Sequence, residues 1–253
     1  MIIFNVDLDN TLIYSYKHDI GSKKRCVEIY QGREISYITE RTYELLRKVK
    51  EKVLMVPTTT RTIEQYERID LQIGAFPYAL ACNGGVLLID GKEDETWYQD
   101  SLELVKDCSL VMEKAIGLLE QDANRSFEIR YIKELFIFTK SDRPEETIHY
   151  LSSRLDTSLV DVFSNGVKVY VVPKVLNKGL AAKRLKEKLS GDLVIAAGDS
   201  EFDISMLDFA DHAIMPEALD ADIKNKESVT VIPKERLFSE GLLEWILDEE
   251  VLL

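Results

Sequence analysis

The chain alternates short apolar runs with amphipathic stretches, and the spacing of the apolar positions predicts its elements. Ile2 to Val6 is a short apolar run that ends abruptly in Asp-Leu-Asp-Asn-Thr, which predicts a buried strand. A hairpin follows, Cys26 to Tyr30 and Glu34 to Ile38 about the turn Gln31-Gly32-Arg33. Thr39 to Lys52 reads as a helix capped by Thr39, with Leu45, Leu46 and Val49 on one face. Val53 to Val56 and Tyr78 to Ala81 are further strands, the first running into Pro57-Thr58-Thr59-Thr60-Arg61 and a helix from about Thr62, the second into Asn83-Gly84-Gly85.

The middle of the chain has another texture. A long amphipathic helix is expected over 101–122, then strands at 126–132 and 135–139, a helix at 144–155, and strands at 159–163 and 167–172. Neighbouring strands joined by tight turns imply antiparallel pairing. After Pro173 strand and helix alternate again: a helix over 178–189, a strand over 193–197, the loop Gly198-Asp199-Ser200, a short helix, two short strands and a C-terminal helix. Alternation on both sides predicts one doubly wound parallel α/β sheet, made of residues 1–87 and 173–253. Residues 88–172 would be an α+β insert.

In such sheets ligands bind at the carboxyl ends of the strands. The residues that follow the strands are Asp7 and Asp9, then Thr58, Thr59, Thr60 and Arg61, then Asn83 and Gly84, and finally Asp199 and Asp203. Four carboxylates brought to one crevice would repel each other and raise their own pKa values. A hard cation removes the conflict, and carboxylate oxygens with water and phosphate are what Mg²⁺ prefers. The pattern points to Mg²⁺-dependent phosphoryl chemistry.

The 253 residues carry 32 Lys+Arg against 45 Asp+Glu, a net charge of −13. That balance argues against a nucleic-acid polymer as partner, because such binding needs basic surface to displace counterions. A single phosphate group is not excluded, since one metal ion and one lysine can hold it. Three cysteines without Cys-x-x-Cys spacing are expected as reduced thiols. No apolar run is long enough to span a bilayer and no signal-peptide pattern opens the chain, so no membrane partner and a cytoplasmic location are expected. The P-loop, dinucleotide, serine-hydrolase and zincin motifs are not present.

Asp-Leu-Asp-Asn-Thr at 7–11 resembles the first motif of the haloacid dehalogenase superfamily. Thr59-Thr60-Arg61 resembles the second, with Thr60 where glycine is common; Lys178 in Asn-Lys-Gly resembles the third, and Gly-Asp-Ser-Glu-Phe-Asp at 198–203 the fourth. Asn83-Gly84-Gly85 is similar to a turn of the Cof-type branch, and the insert to that branch's C2-type cap. The resemblance implies a phosphatase for a small phosphate monoester, such as a sugar phosphate. Asp7 would be the nucleophile that forms an aspartyl-phosphate and Asp9 the general acid and base. Thr59 and Lys178 would hold the phosphoryl group, with Thr60, Arg61, Asn83 and Gly84 around the substrate. Which of Thr58, Thr59 and Thr60 supplies the hydroxyl stays open, although the Thr-Arg match favours Thr59. Mg²⁺ would take the carboxylates of Asp7 and Asp199 and the backbone carbonyl of Asp9, with Asp203 bound directly or through water. The cap would exclude water and set specificity; with 10 basic and 17 acidic residues it is no clamp for a polyanion. A phosphomutase acting on a sugar phosphate is the alternative enzyme, and a binding or regulatory homologue without turnover the alternative outside catalysis. A monomer or a homodimer is expected.

Overall fold

The computed structural model describes residues 1–219, 223 and 228–248. The chain forms two compact units, Met1–Asp94 with Lys178–Leu253, and Glu95–Asn177. The division falls later than residues 87/88 and 172/173. Lys92–Glu93 pairs with Val86–Ile89 and so belongs with the first unit, while Lys168–Pro173 completes the sheet of the second.

The first unit is built on a five-stranded parallel sheet. Ile2–Val6 lies at its interior between Leu193–Ala197 and Leu54–Pro57, and His212–Pro216 and Val229–Ile232 extend it beyond Leu193–Ala197. These strands are mostly apolar, with Asn5, His212 and Thr230 as exceptions, because a parallel sheet is covered on both faces. Phe4, Val6, Met55 and Ile195 pack with Leu45, Leu46 and Val49 of the helix Glu40–Lys52, and with Leu242, Leu243 and Ile246 of the helix Phe238–Leu247. Thr39 caps the first of these helices by accepting the N–H of Thr42 at 2.9 Å.

Two smaller sheets flank this one. The hairpin Lys24–Tyr30 and Arg33–Thr39 takes Tyr14–Ser15 as a third strand, and its tight turn is made by Gln31 and Gly32, both with positive φ. Tyr78–Ala81 does not join the parallel sheet as a full strand. It pairs antiparallel with Val86–Ile89 and meets the parallel sheet through a single bridge, Thr58 with Leu80.

The second unit carries a four-stranded antiparallel sheet of Val160–Asn165, Lys168–Pro173, Phe136–Lys140 and Arg130–Ile132, in that order. One face of it, with Ile137, Val169 and Val171, packs against Met112, Ala115, Leu119 and Leu151 of its helices. The long helix expected over 101–122 is instead two, Glu95–Val105 and Ser109–Gln121, separated by a 3₁₀ turn at Lys106–Cys108. Periodicity alone misses this break, because the buried positions Ser101, Val105, Cys108, Met112 and Ala115 keep a helical spacing through it. The first strand of the sheet is shorter than expected, Arg130–Ile132.

No helix among the described residues is long and apolar enough to cross a membrane. Cys26, Cys82 and Cys108 are free thiols.

Candidate active site

The residues singled out by the motifs lie in the first unit, at the carboxyl ends of its strands. The parallel pairing carries through Val6 and Ala197, and the Asp7 N–H donates to the Ala197 carbonyl at 2.9 Å. Asp7 and Gly198 thereby leave adjacent strands side by side. Beyond Asp7 the chain turns sharply: the Leu8 carbonyl accepts the N–H groups of Leu12 and Ile13 at 2.9 and 2.8 Å, and Asn10 takes a positive φ of 59°. The turn separates the two aspartates. The Asp7 side chain is buried, whereas half of the Asp9 side chain is exposed.

Lys178 opens the helix Lys178–Leu189 and is buried to 1% exposure. Its ammonium donates to Asp7 Oδ1 and to Asp203 Oδ1, both at 2.6 Å. Two glycines make this approach possible. A Cβ on Gly179 would lie 2.1 Å from the Ser205 carbonyl oxygen, and one on Gly198 would lie 2.3 Å from Asp203 Cβ. The other oxygen of Asp203 accepts from the N–H groups of Asp199 and Ser200 at 3.1 and 3.0 Å and from the Ser200 hydroxyl at 2.8 Å. One oxygen of Asp203 thus fixes the loop that carries Asp199 and the other faces Lys178. Asp199 accepts from the Thr11 hydroxyl at 3.1 Å.

Ligand atoms of Asp7, Asp199 and Asp203 all lie within 4.8 Å of one another. One lysine does not neutralise three carboxylates. Burial, with the charges of Asp203, Asp199 and Asp9, holds the Asp7 carboxyl well above the usual range despite Lys178. Burial and Asp203 push Asp199 up to about 6. Burial works against the Lys178 ammonium too, yet Asp203 and Asp7 outweigh it and raise its pKa. This excess negative charge on hard oxygen donors fits a divalent cation.

The loop after Leu54–Pro57 supplies hydroxyls. The Thr58 hydroxyl is spent internally, donating to the Val56 carbonyl at 3.1 Å and accepting from Asn5 Nδ2 at 3.0 Å. The Thr59 hydroxyl accepts the Arg61 N–H at 3.1 Å and keeps its own proton to donate. Thr60 is half-buried. The turn at 82–84 is held to this loop by two backbone bonds, Asn83 N–H to the Thr59 carbonyl at 3.0 Å and Cys82 N–H to the Arg61 carbonyl at 2.8 Å. Cys82, Asn83 and Gly84 all take positive φ, so Asn83 and Gly84 stand beside the threonine loop, as their positions after neighbouring strands predict.

Arg61 differs from the expectation of a substrate contact. Its Nε and one Nη donate to the two oxygens of Asp9, both at 2.7 Å. Its remaining donors go to Glu28 at 2.8 and 3.0 Å and to the Gln65 carbonyl at 3.2 Å. All five guanidinium N–H groups are therefore used within the protein, and none is left for a phosphate. Glu28 was not expected from the sequence. It lies on a hairpin strand whose alternation marks no chemistry.

Comparison with known proteins places these features. Residues 112–234 match the family of haloacid dehalogenase-like hydrolases. No curated protein sequence matches the chain significantly. Among solved structures, the sucrose-phosphatase of Synechocystis, in complex with sucrose and phosphate, superposes with a TM-score of 0.69 at 15% identity, covering 97% of this chain and 96% of that one. A haloacid dehalogenase-like hydrolase from B. subtilis gives 0.59 at 16% identity, covering 98% and 100%. A trehalose-6-phosphate phosphatase related protein gives 0.53 at 16% identity, covering 99% of each chain. The motifs thus stand in order along a fold that these solved structures share, and residues 112–234 resemble the haloacid dehalogenase-like hydrolases.

Proposed function

We propose that this protein is a Mg²⁺-dependent phosphatase that hydrolyses a small phosphate monoester through a phosphorylated Asp7. The observation that carries the reading is the Lys178 ammonium, wholly buried between Asp7 and Asp203 at 2.6 Å from each. A lysine beside a nucleophilic carboxylate can receive a phosphoryl oxygen with its third N–H.

An oxygen of Asp7 attacks phosphorus in line as the ester P–O bond breaks, and Asp9 gives its proton to the departing oxygen. Asp9 then takes a proton from the water that cleaves the aspartyl-phosphate, releasing phosphate and restoring Asp7. The Thr59 hydroxyl and Lys178 hold the phosphoryl oxygens. Asp7 and Asp199, with the Asp9 backbone carbonyl, would bind Mg²⁺, which supplies charge neutralisation for the transferring group. Asp203 orients Lys178 and the Asp199 loop, and would bind Mg²⁺ directly or through water.

A sugar phosphate is the favoured substrate class. Two of the structural relatives, a sucrose-phosphatase and a trehalose-6-phosphate phosphatase related protein, carry such activities in their names. Phosphate release measured across sugar, nucleotide and cofactor phosphates with Mg²⁺, using Asp7→Asn as control, tests the reading. Release that survives Asp7→Asn overturns it, and an isomerised phosphosugar in place of free phosphate would make the protein a mutase.

A further inference from the structure

Glu28 is a fully buried carboxylate outside the motifs. Residues 27 and 28 are consecutive on the strand Lys24–Tyr30, and both are buried, although alternate positions of a flat strand face opposite ways. A bulge reconciles them: the register against Arg33–Thr39 slips on both sides of Glu28, which pairs with Ser36. On its other side the strand meets the segment after the second motif, through a Glu28–Ile69 bridge and the Asp70 N–H on the Val27 carbonyl at 2.8 Å. The hairpin is thereby pinned beside Arg61.

Four side-chain donors satisfy Glu28: two from Arg61, the Arg68 Nε at 3.1 Å and the Ser36 hydroxyl at 2.6 Å. The Arg61 fork has Glu28 on one edge and Asp9 on the other. Because a guanidinium is planar and rigid, fixing one edge fixes the direction of the other. Asp9, half exposed, has no comparable packing to hold it.

We propose that Glu28 is a positioning residue for the phosphoryl transfer: through Arg61 it sets the direction of the Asp9 carboxyl, and so places the proton that the leaving oxygen receives as the ester P–O bond breaks and the bond from Asp7 to phosphorus forms. This rests on the phosphatase reading. The residues that carry it are the bulged hairpin strand, the five-donor saturation of Arg61 and the partial exposure of Asp9.

The test is leaving-group dependence. An aryl ester such as p-nitrophenyl phosphate departs without a proton, whereas an alkyl ester such as a hexose 6-phosphate needs one. The kcat/KM value reports the transfer to Asp7 alone. Glu28→Gln is expected to lower kcat/KM for the alkyl ester about 30-fold or more, and for the aryl ester about 3-fold or less, misplacement of a catalytic group costing up to ~100-fold. Glu28→Asp keeps the charge beside Arg61 and Arg68 but withdraws it by one methylene, so it serves where Glu28→Gln does not fold; it should show the same asymmetry at smaller size. An equal fall for both esters in Glu28→Asp, with wild-type hydrolysing both, overturns the positioning role and leaves the phosphatase reading intact. A wild-type protein that hydrolyses neither ester overturns both.

Discussion

Two cation–carboxylate clusters meet at the turn between Asp7 and Asp9, and they are built on opposite principles. Around Asp7 the cation is a lysine, buried to 1% exposure, touching two carboxylates and packed by glycines that admit no side chain. Around Asp9 the cation is an arginine that bridges a buried carboxylate, Glu28, to a half-exposed one. The first is a compact point charge with a donor to spare; the second is a saturated fork. The difference teaches that charge and orientation are supplied separately here. A lysine can transfer its third donor to a ligand, whereas a fully bonded guanidinium can only hold its neighbours in place.

Breaking the Asp7 cluster should have the largest effect. Asp7→Asn is expected to lower Mg²⁺-dependent phosphate release by about 10⁴-fold or more, the usual scale for loss of a nucleophile. Its thermal unfolding should stay cooperative, because the change removes a buried charge. Lys178→Met is expected to abolish release as well and to destabilise the fold by roughly 3–5 kcal/mol, since it strands Asp7 and Asp203 without a cation. Arg61→Met should destabilise less than Lys178→Met when both are unfolded in urea, because Arg68 still reaches Glu28 and water reaches Asp9.

Metal separates the clusters further. At a concentration of about 100 times its dissociation constant, Mg²⁺ should stabilise the wild-type protein by ~2.7 kcal/mol at pH 7.5, read as a rise in Tm. Asp199→Asn should remove that rise, and Glu28→Gln should leave it in place.

The pH dependence of the metal-free protein should carry opposite signs at the two clusters. Asp199 stands at about 6 when folded against an ordinary 3.8, so between these values the folded state holds more protons than the unfolded one. Stability then falls as pH rises through that window, and Asp199→Asn should flatten the fall. Burial works against the Glu28 carboxylate, but Arg61, Ser36 and Arg68 outweigh it and hold its pKa below 4.5. Its contribution is present above that value and lost as pH drops through the folded pKa, a loss that Glu28→Gln should remove. Both are read from Tm between pH 3.5 and 8 with a chelator present.

The smallest contrast is between the two buried threonines. Thr59→Ala should lower kcat/KM by about 10-fold or more through loss of a donor to the phosphoryl group, whereas Thr58→Ala should cost only ~1 kcal/mol of stability. The reverse pattern would move the phosphoryl hydroxyl to Thr58.

Most of the parallel sheet was legible from apolar runs, because a strand covered on both faces carries no polar alternation and stops where it meets the ligand side. Ile2–Val6, Leu193–Ala197 and the helix Lys178–Leu189 fall on the expected residues for that reason. The break at Lys106–Cys108 did not show, since a 3₁₀ turn that keeps the buried face in phase leaves the periodicity unaltered. The pairing of Tyr78–Ala81 did not show either, because a four-residue apolar strand reads the same in a parallel or an antiparallel sheet.

The sequence by itself determined which residues follow the strands, and with it the approach of Asp7 and Asp199, since each motif is local and each of these two follows its own strand. Tertiary structure alone decided what each group does with its bonds. It spent the hydroxyl of Thr58 on Val56 and left that of Thr59 to donate, tied Asp203 to Ser200 and Lys178, and made Arg61 a bridge between Asp9 and Glu28. It also brought Glu28 33 positions along the chain to Arg61 through a bulge in a hairpin. Hydrogen-bond saturation depends on which donors and acceptors meet across the fold. That meeting is set by packing and register, which local pattern does not encode.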